Sequence, residues 1–135
     1  MQQRALVWQH GQLNADLSFQ ALENAVHDQQ ALTWLDVKIE DDALQCASML
    51  TNLFNLSPLT LQIMEEEKER AKLVKGHDYF YLVVHGLDFD TTTSEASTPK
   101  VDIIFGRNFL VTAHRSKLPW LDKLFESAQD RKSVV

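Results

Sequence analysis

The side chains able to do chemistry are few and scattered along the chain. Five histidines, His10, His27, His77, His85 and His114, never pair at the four-residue spacing with an adjacent glutamate that sets two imidazoles around zinc on one helix face. His85 and His114 fall in strand-like segments, so a metal between adjacent strands is conceivable, although imidazoles at strand ends more often serve as hydrogen-bonding groups. The single cysteine, Cys46, lies in an apolar helical stripe with no evident base, which is the setting of a packing thiol. It also excludes an internal disulfide and a Cys-rich zinc site, and fits a reducing compartment. Four glycines, at 11, 76, 86 and 106, are too dispersed to wrap a phosphate, and no serine occupies a glycine-flanked elbow. Catalysis is not expected.

The densest charge run is Glu65-Glu66-Glu67-Lys68-Glu69-Arg70. On a helix, Glu66 and Arg70 stack and attract while Glu65 and Glu69 stack and repel, each by about 0.2–0.5 kcal/mol, so the electrostatics nearly cancel. Stacked carboxylates can hold a hydrated divalent cation, because magnesium takes oxygen ligands and keeps several waters. The bland alternative is a solvated face.

The elements that position these residues can be traced in order. Arg4 to Trp8 reads as a strand, with His10-Gly11-Gln12 as a reversing turn. Asp16 or Ser18 caps a helix whose apolar residues, Phe19, Leu22, Ala25 and Val26, run to about His27. Ala31 to Val37 reads as a strand, with Leu35 and Val37 towards the core and Leu32, Trp34 and Asp36 on the opposite face. Asp42 and Gln45 resemble a capping box ahead of a helix bearing Ala43, Cys46, Ala47, Leu50, Leu53 and Phe54. Ser57-Pro58 opens a further helix, expected over Leu59 to about Lys72. Tyr79 to Leu87 reads as a strand covered on both faces, and 88–100 as an exposed, mobile connection. Val101 to Phe105 and Phe109 to His114 form an antiparallel hairpin around Gly106-Arg107-Asn108. Pro119 starts an amphipathic helix through Ala128, followed by a frayed tail from Asp130. The pattern predicts one domain over 1–135, of α/β or α+β class, with a mixed sheet between helices in an α/β/α layered arrangement.

Composition limits the partners. At 135 residues and 15.5 kDa, with 44% hydrophobic and 24% charged residues, the chain can bury one core. Thirteen Lys and Arg against nineteen Asp and Glu leave a charge of −6, the wrong sign for a nucleic-acid partner. Neither a membrane-spanning apolar run nor a signal-peptide pattern is present, so a soluble piece is expected.

Several of these segments, in order, resemble the CorA-type divalent-cation transporters. Trp34-Leu35-Asp36-Val37 resembles the family's Trp-hydrophobe-polar-hydrophobe strand. Phe54-Asn55-Leu56-Ser57-Pro58-Leu59-Thr60-Leu61 resembles the segment written Phe-x-hydrophobe-His-Pro-Leu-x-Leu-Glu-Asp, and Arg70-Ala71-Lys72-Leu73 sits at its Arg-Pro-Lys-hydrophobe. Tyr79 to Val84 resembles the central strand, and Val101 to Arg115 the hairpin, including Asn108, Thr112 and His114.

The resemblance implies a cytoplasmic N-terminal domain at the inner face of the plasma membrane, lacking here the stalk, the two membrane helices and the Gly-Met-Asn loop. It implies neighbouring subunits of a pentamer and divalent cations as partners, with a regulatory and structural role and no tightly bound cofactor beyond magnesium or another divalent ion. Ser57 and Ala71 depart from the pattern, as do Gln62 and Ile63, which stand where the family carries its Glu-Asp pair. A carboxylate at the Ile63 position helps hold a regulatory magnesium in relatives, and isoleucine has no oxygen to offer. Glu65 and Glu66, within a turn of that position, are the candidate substitutes. The missing acid also suits a ZntB-like zinc branch, and a free-standing interaction or ligand-binding module is the alternative outside transport.

Overall fold

The structure, a computed structural model, describes residues 1–66, 68–86, 88–90 and 95–130; for 88–90 and 95–97 only the backbone path is described. The expectations for Glu67, Leu87, the 91–94 part of the connection and the tail beyond Asp130 lie outside those residues.

The chain folds as β1 (Gln2–Gln9), β2 (Gln12–Asn14), α1 (Phe19–Val26), β3 (Leu32–Lys38), α2 (Ala43–Phe54) and α3 (Pro58–Glu65). It continues as β4 (Lys72–Lys75), β5 (Phe80–His85), β6 (Asp88–Asp90), β7 (Glu95–Ser97), β8 (Lys100–Phe105), β9 (Phe109–His114) and α4 (Pro119–Asp130). Seven strands form one mixed sheet in the order β2-β1-β3-β9-β8-β5-β4, and β6 and β7 pair separately. Among the described residues only β3 and β9 run parallel, so their carboxyl ends, Lys38 and His114, lie side by side. The other pairs are antiparallel.

Alternation along the strands sorts the core into two layers. Val7, Leu35, Val37, Tyr81, Val83, Ile104, Val111 and Ala113 pack with Leu22, Cys46, Leu50, Leu53 and Ile63 of α1, α2 and α3. On the reverse face Leu6, Trp34 and Val101 pack with Leu118, Leu121 and Phe125 of α4 and the segment before it. The α/β/α arrangement expected from the sequence is therefore present, with three helices on one face and one on the other. Because α4 lies over the Trp34 side, Trp34 and Asp36 are buried as well as Leu35 and Val37.

Local chemistry explains two helix starts and one hairpin turn. Ser18 Oγ accepts from the Ala21 amide at 3.2 Å and starts α1, and Ser57 Oγ accepts from the Thr60 amide at 3.3 Å with Pro58 in the first turn of α3. In the β8–β9 hairpin a Cβ on Gly106 would lie 2.4 Å from the Phe109 ring and 3.0 Å from the Asp78 carbonyl oxygen, so any larger residue there displaces the ring.

Four expectations need correction. Asp42 precedes α2 but makes no side-chain cap; its carboxylate binds the amino terminus of Met1 at 2.6 Å and the Glu40 amide at 3.2 Å instead. The helix expected to reach Lys72 ends at Glu65, so the Glu65/Glu69 and Glu66/Arg70 helical stacks do not form. Carboxylates gathered at the negative end of a helix dipole oppose its extension, and Val74 is better used on the core face of the sheet opposite Tyr81. Strand β5 is covered unequally: Tyr81 and Val83 are buried on one face, whereas on the other Val84 is half-buried against the α4 cluster and Phe80 is 40% exposed. The connection after it contains the two-stranded β6–β7 ribbon rather than irregular chain alone.

Candidate functional site

Four of the residues that carry the resemblance meet on the α4 face of β3 and β9. Trp34, Asp36, Thr112 and His114 alternate along two parallel strands, and the register sets Asp36 opposite Thr112 and Lys38 opposite His114. The Trp34 indole Nε1 donates to Thr112 Oγ1 at 3.1 Å, and that hydroxyl donates to Asp36 Oδ1 at 2.6 Å. His114 Nε2 reaches the same carboxylate oxygen at 3.0 Å, while His114 Nδ1 faces the Ser116 carbonyl at 2.7 Å. Both ring nitrogens therefore meet acceptors, which only the doubly protonated imidazole can satisfy.

Two residues that sequence reasoning missed complete the network. Arg4 Nε donates to Asp36 Oδ2 at 2.9 Å and Arg4 Nη2 to Asp122 Oδ1 at 2.7 Å, while the guanidinium lies 4.3 Å from the centre of the Phe125 ring. Burial disfavours the Asp36 anion, but hydrogen bonds from His114, Thr112 and Arg4 outweigh it and hold the carboxyl below its ordinary value. Burial likewise opposes the His114 cation, and the Asp36 and Ser116 oxygens outweigh it, raising the imidazole above its ordinary value. A cleft of about 340 Å3 opens beside this cluster, lined by Gln2, Arg4, Asp36, Lys38, His114, Lys117 and Asp122.

A second polar cluster joins the opposite face to α3. Lys100 Nζ donates to the carbonyls of Ile63 at 2.7 Å and Met64 at 3.3 Å, and lies 3.3 Å from Asp102 Oδ1. The Tyr81 hydroxyl donates to the same Asp102 oxygen, and burial raises both the Tyr81 phenol and the Asp102 carboxyl above their ordinary values. Lys100 thus caps the carboxyl end of α3, where the dipole favours a cation. The signal available in the sequence was Asp102 itself, a carboxylate between Val101 and Ile103 in an apolar strand.

The remaining predicted residues are spread out. Pro58 and Leu59 open α3, with Leu59 56% exposed, and Lys72 pairs with Glu69 at 2.6 Å where β4 begins. Arg70 is exposed. Asn108 Nδ2 donates to the carbonyls of Val26 and Asp28 and ties the β8–β9 loop to the end of α1. Ile63 is buried in the core, Gln62 is exposed, and Glu65 and Glu66 are exposed at the end of α3. Among the described residues no three His, Cys, Asp or Glu side chains gather in a way that could hold a metal. His85 and His114 are not on neighbouring strands, because β8 stands between β5 and β9, so no metal bridges them. His85 instead faces the Glu69 and Thr98 carbonyls. Burial pushes the Cys46 thiol up to about 11, in keeping with packing.

Known proteins share this arrangement. The soluble domain of CorA from Methanocaldococcus jannaschii matches with a TM-score of 0.66 at 18% identity, covering 97% of this chain and 48% of that one. The cytoplasmic domain of ZntB from Vibrio parahaemolyticus RIMD 2210633 matches with a TM-score of 0.70 at 12% identity, covering 96% and 50%. At these identities the likeness establishes the fold. YfjQ of Bacillus subtilis (strain 168), named for metal ion transport, is 29% identical over 93 residues, covering 69% of this chain and 27% of that protein. This chain therefore spans about a quarter of that relative and no more than half of either structure. No helix among the described residues is long and apolar enough to cross a membrane. The model of the CorA-like Mg2+ transporter protein family matches residues 29–134, a span holding Trp34, Asp36, Thr112 and His114, and the chain belongs to that family.

Proposed function

We propose that this chain is the cytoplasmic regulatory domain of a CorA-like divalent-cation transporter, folding as one domain over 1–135 and packing against neighbouring subunits to bias a pore. The observation that carries this reading is the family match across residues 29–134 on a fold shared with the CorA soluble domain. Magnesium is the default ion. The buried Ile63 and the likeness to the ZntB cytoplasmic domain favour zinc as the second choice.

The family's regulatory magnesium position does not fit here, since Ile63 faces the core and carries no oxygen. Glu65 and Glu66 are the proposed replacement. Both are exposed at the carboxyl end of α3, where the helix dipole favours a cation, and magnesium is commonly held by one or two carboxylates with water filling the rest of its shell.

The test places this chain in the Methanocaldococcus jannaschii CorA in exchange for its matching soluble domain. Magnesium uptake into vesicles should fall as magnesium on the domain's side rises through the millimolar range, and the E65Q/E66Q pair should abolish that inhibition. An assembled chimera that transports at the same rate whatever the metal level on that side would overturn the regulatory reading.

A further inference from the structure

Two clefts at one end of the sheet carry more basic than acidic side chains in an otherwise acidic chain of charge −6. The cleft of about 340 Å3 there is lined by Arg4, Lys38, His114 and Lys117 against two carboxylates, Asp36 and Asp122. A neighbouring cleft of about 260 Å3 shares His114 and adds Lys100 and Arg115 against Asp102. The place is also distinctive in the fold, because the crevice beyond the carboxyl ends of parallel strands is a recurrent ligand site and β3 and β9 form the one parallel pair among the described residues.

The hydrogen bonds within the cleft decide the sign of the ligand. Asp36 Oδ1 already accepts from Thr112 and His114, Asp36 Oδ2 from Arg4, and Asp122 Oδ1 from Arg4. The carboxylates are therefore committed to the floor and are poorly placed to bind a metal cation. The ammonium groups are not: among the described residues, neither Lys38 nor Lys117 has an ion-pair partner. The buried Asp36–His114 pair fixes the carboxyl ends of both strands, and so holds Lys38 and the Arg115–Lys117 turn in place around the opening.

We propose that this cleft binds a phosphate group, held between the Lys38 and Lys117 ammoniums over the Arg4–Asp36–His114 floor. The site is independent of the metal reading at α3, which involves other residues on another element. A phosphate group could arrive as inorganic phosphate or on a nucleotide, and the two are separated by using inorganic phosphate and AMP as parallel probes.

The experiment is a backbone NMR titration of the chain with each probe at constant ionic strength, alongside sodium chloride. Inorganic phosphate should move the amides of Lys38, Ile39 and His114 to Lys117 at millimolar concentration, while chloride leaves them in place. Equal affinity for AMP assigns recognition to the phosphate group alone, and tighter AMP binding assigns a nucleotide. Lys38→Ala and Lys117→Ala should each weaken binding about tenfold, the loss of one charge-assisted contact, with the unfolding temperature unchanged. Silence at tens of millimolar phosphate, shifts reproduced by chloride, or affinity unchanged in the double variant would each overturn the proposal.

Discussion

Asp36 Oδ1 lies 3.0 Å from His114 Nε2, joining the carboxyl ends of two parallel strands whose residues are 78 positions apart in sequence. Both partners are 4% exposed, and each shifts in the direction that strengthens the pair.

The first prediction concerns pH. The Asp36 carboxyl is held below its ordinary value of 3.8, so its contribution is present above that pH and is lost as pH falls through its lower folded value. The His114 imidazole is held above 6.5, so its contribution is complete below that pH and is lost as pH rises through its higher folded value. Asp102, raised by burial, also favours the folded state less as pH rises, but in the acid range, beginning at its ordinary value of 3.8. Urea midpoints should therefore decline from about pH 6.5 upward, and His114→Gln should remove that decline. An unaltered decline in the variant would assign it to another group.

Thr112 relays between the Trp34 indole and Asp36, accepting from one and donating to the other. Thr112→Val keeps the shape but leaves the buried indole N–H without its acceptor. The expected loss is about 1–3 kcal/mol by denaturant unfolding.

Lys100 ends beneath α3, and its ammonium serves two carbonyls and a carboxylate at once. Lys100→Met should cost about 3 kcal/mol, the scale of breaking a buried ion pair from one side. Hydrogen exchange should speed up selectively at the amides of α3's last turn. Uniform loss of protection across the sheet would instead indicate general destabilisation.

Cys46 is 1% exposed, with its thiol pushed up to about 11. A thiol reagent should label it only as fast as the helix layer opens, and urea should accelerate labelling in step with unfolding. Rapid labelling of the native chain would contradict the packing role.

Local signals in the sequence were enough to narrow the α1 cap to Asp16 or Ser18 and to find Ser57-Pro58, the Gly106-Arg107-Asn108 hairpin and the alternation of Trp34 to Val37, because each depends on residues within one turn or strand. What the sequence hid was long-range. Nothing local indicates that Asp36 meets Thr112 and His114, since the β3–β9 pairing that joins them brings together distant segments. Arg4 looked like an ordinary strand residue, although it connects β1 to Asp36 and Asp122. The early end of α3 was obscured because Leu73 and Val74 suit a helix stripe as readily as an edge strand. The capping of that end by Lys100 comes from a strand 35 or more residues away.

The measurement that bears most directly on the proposed role is a magnesium titration of the chain followed by backbone NMR, with E65Q/E66Q as the comparison. Shifts at millimolar magnesium should centre on Ile63 to Glu66 and disappear in the double variant. A parent spectrum that stays still at that concentration, or shifts that persist in E65Q/E66Q, would contradict the assignment of metal sensing to the end of α3.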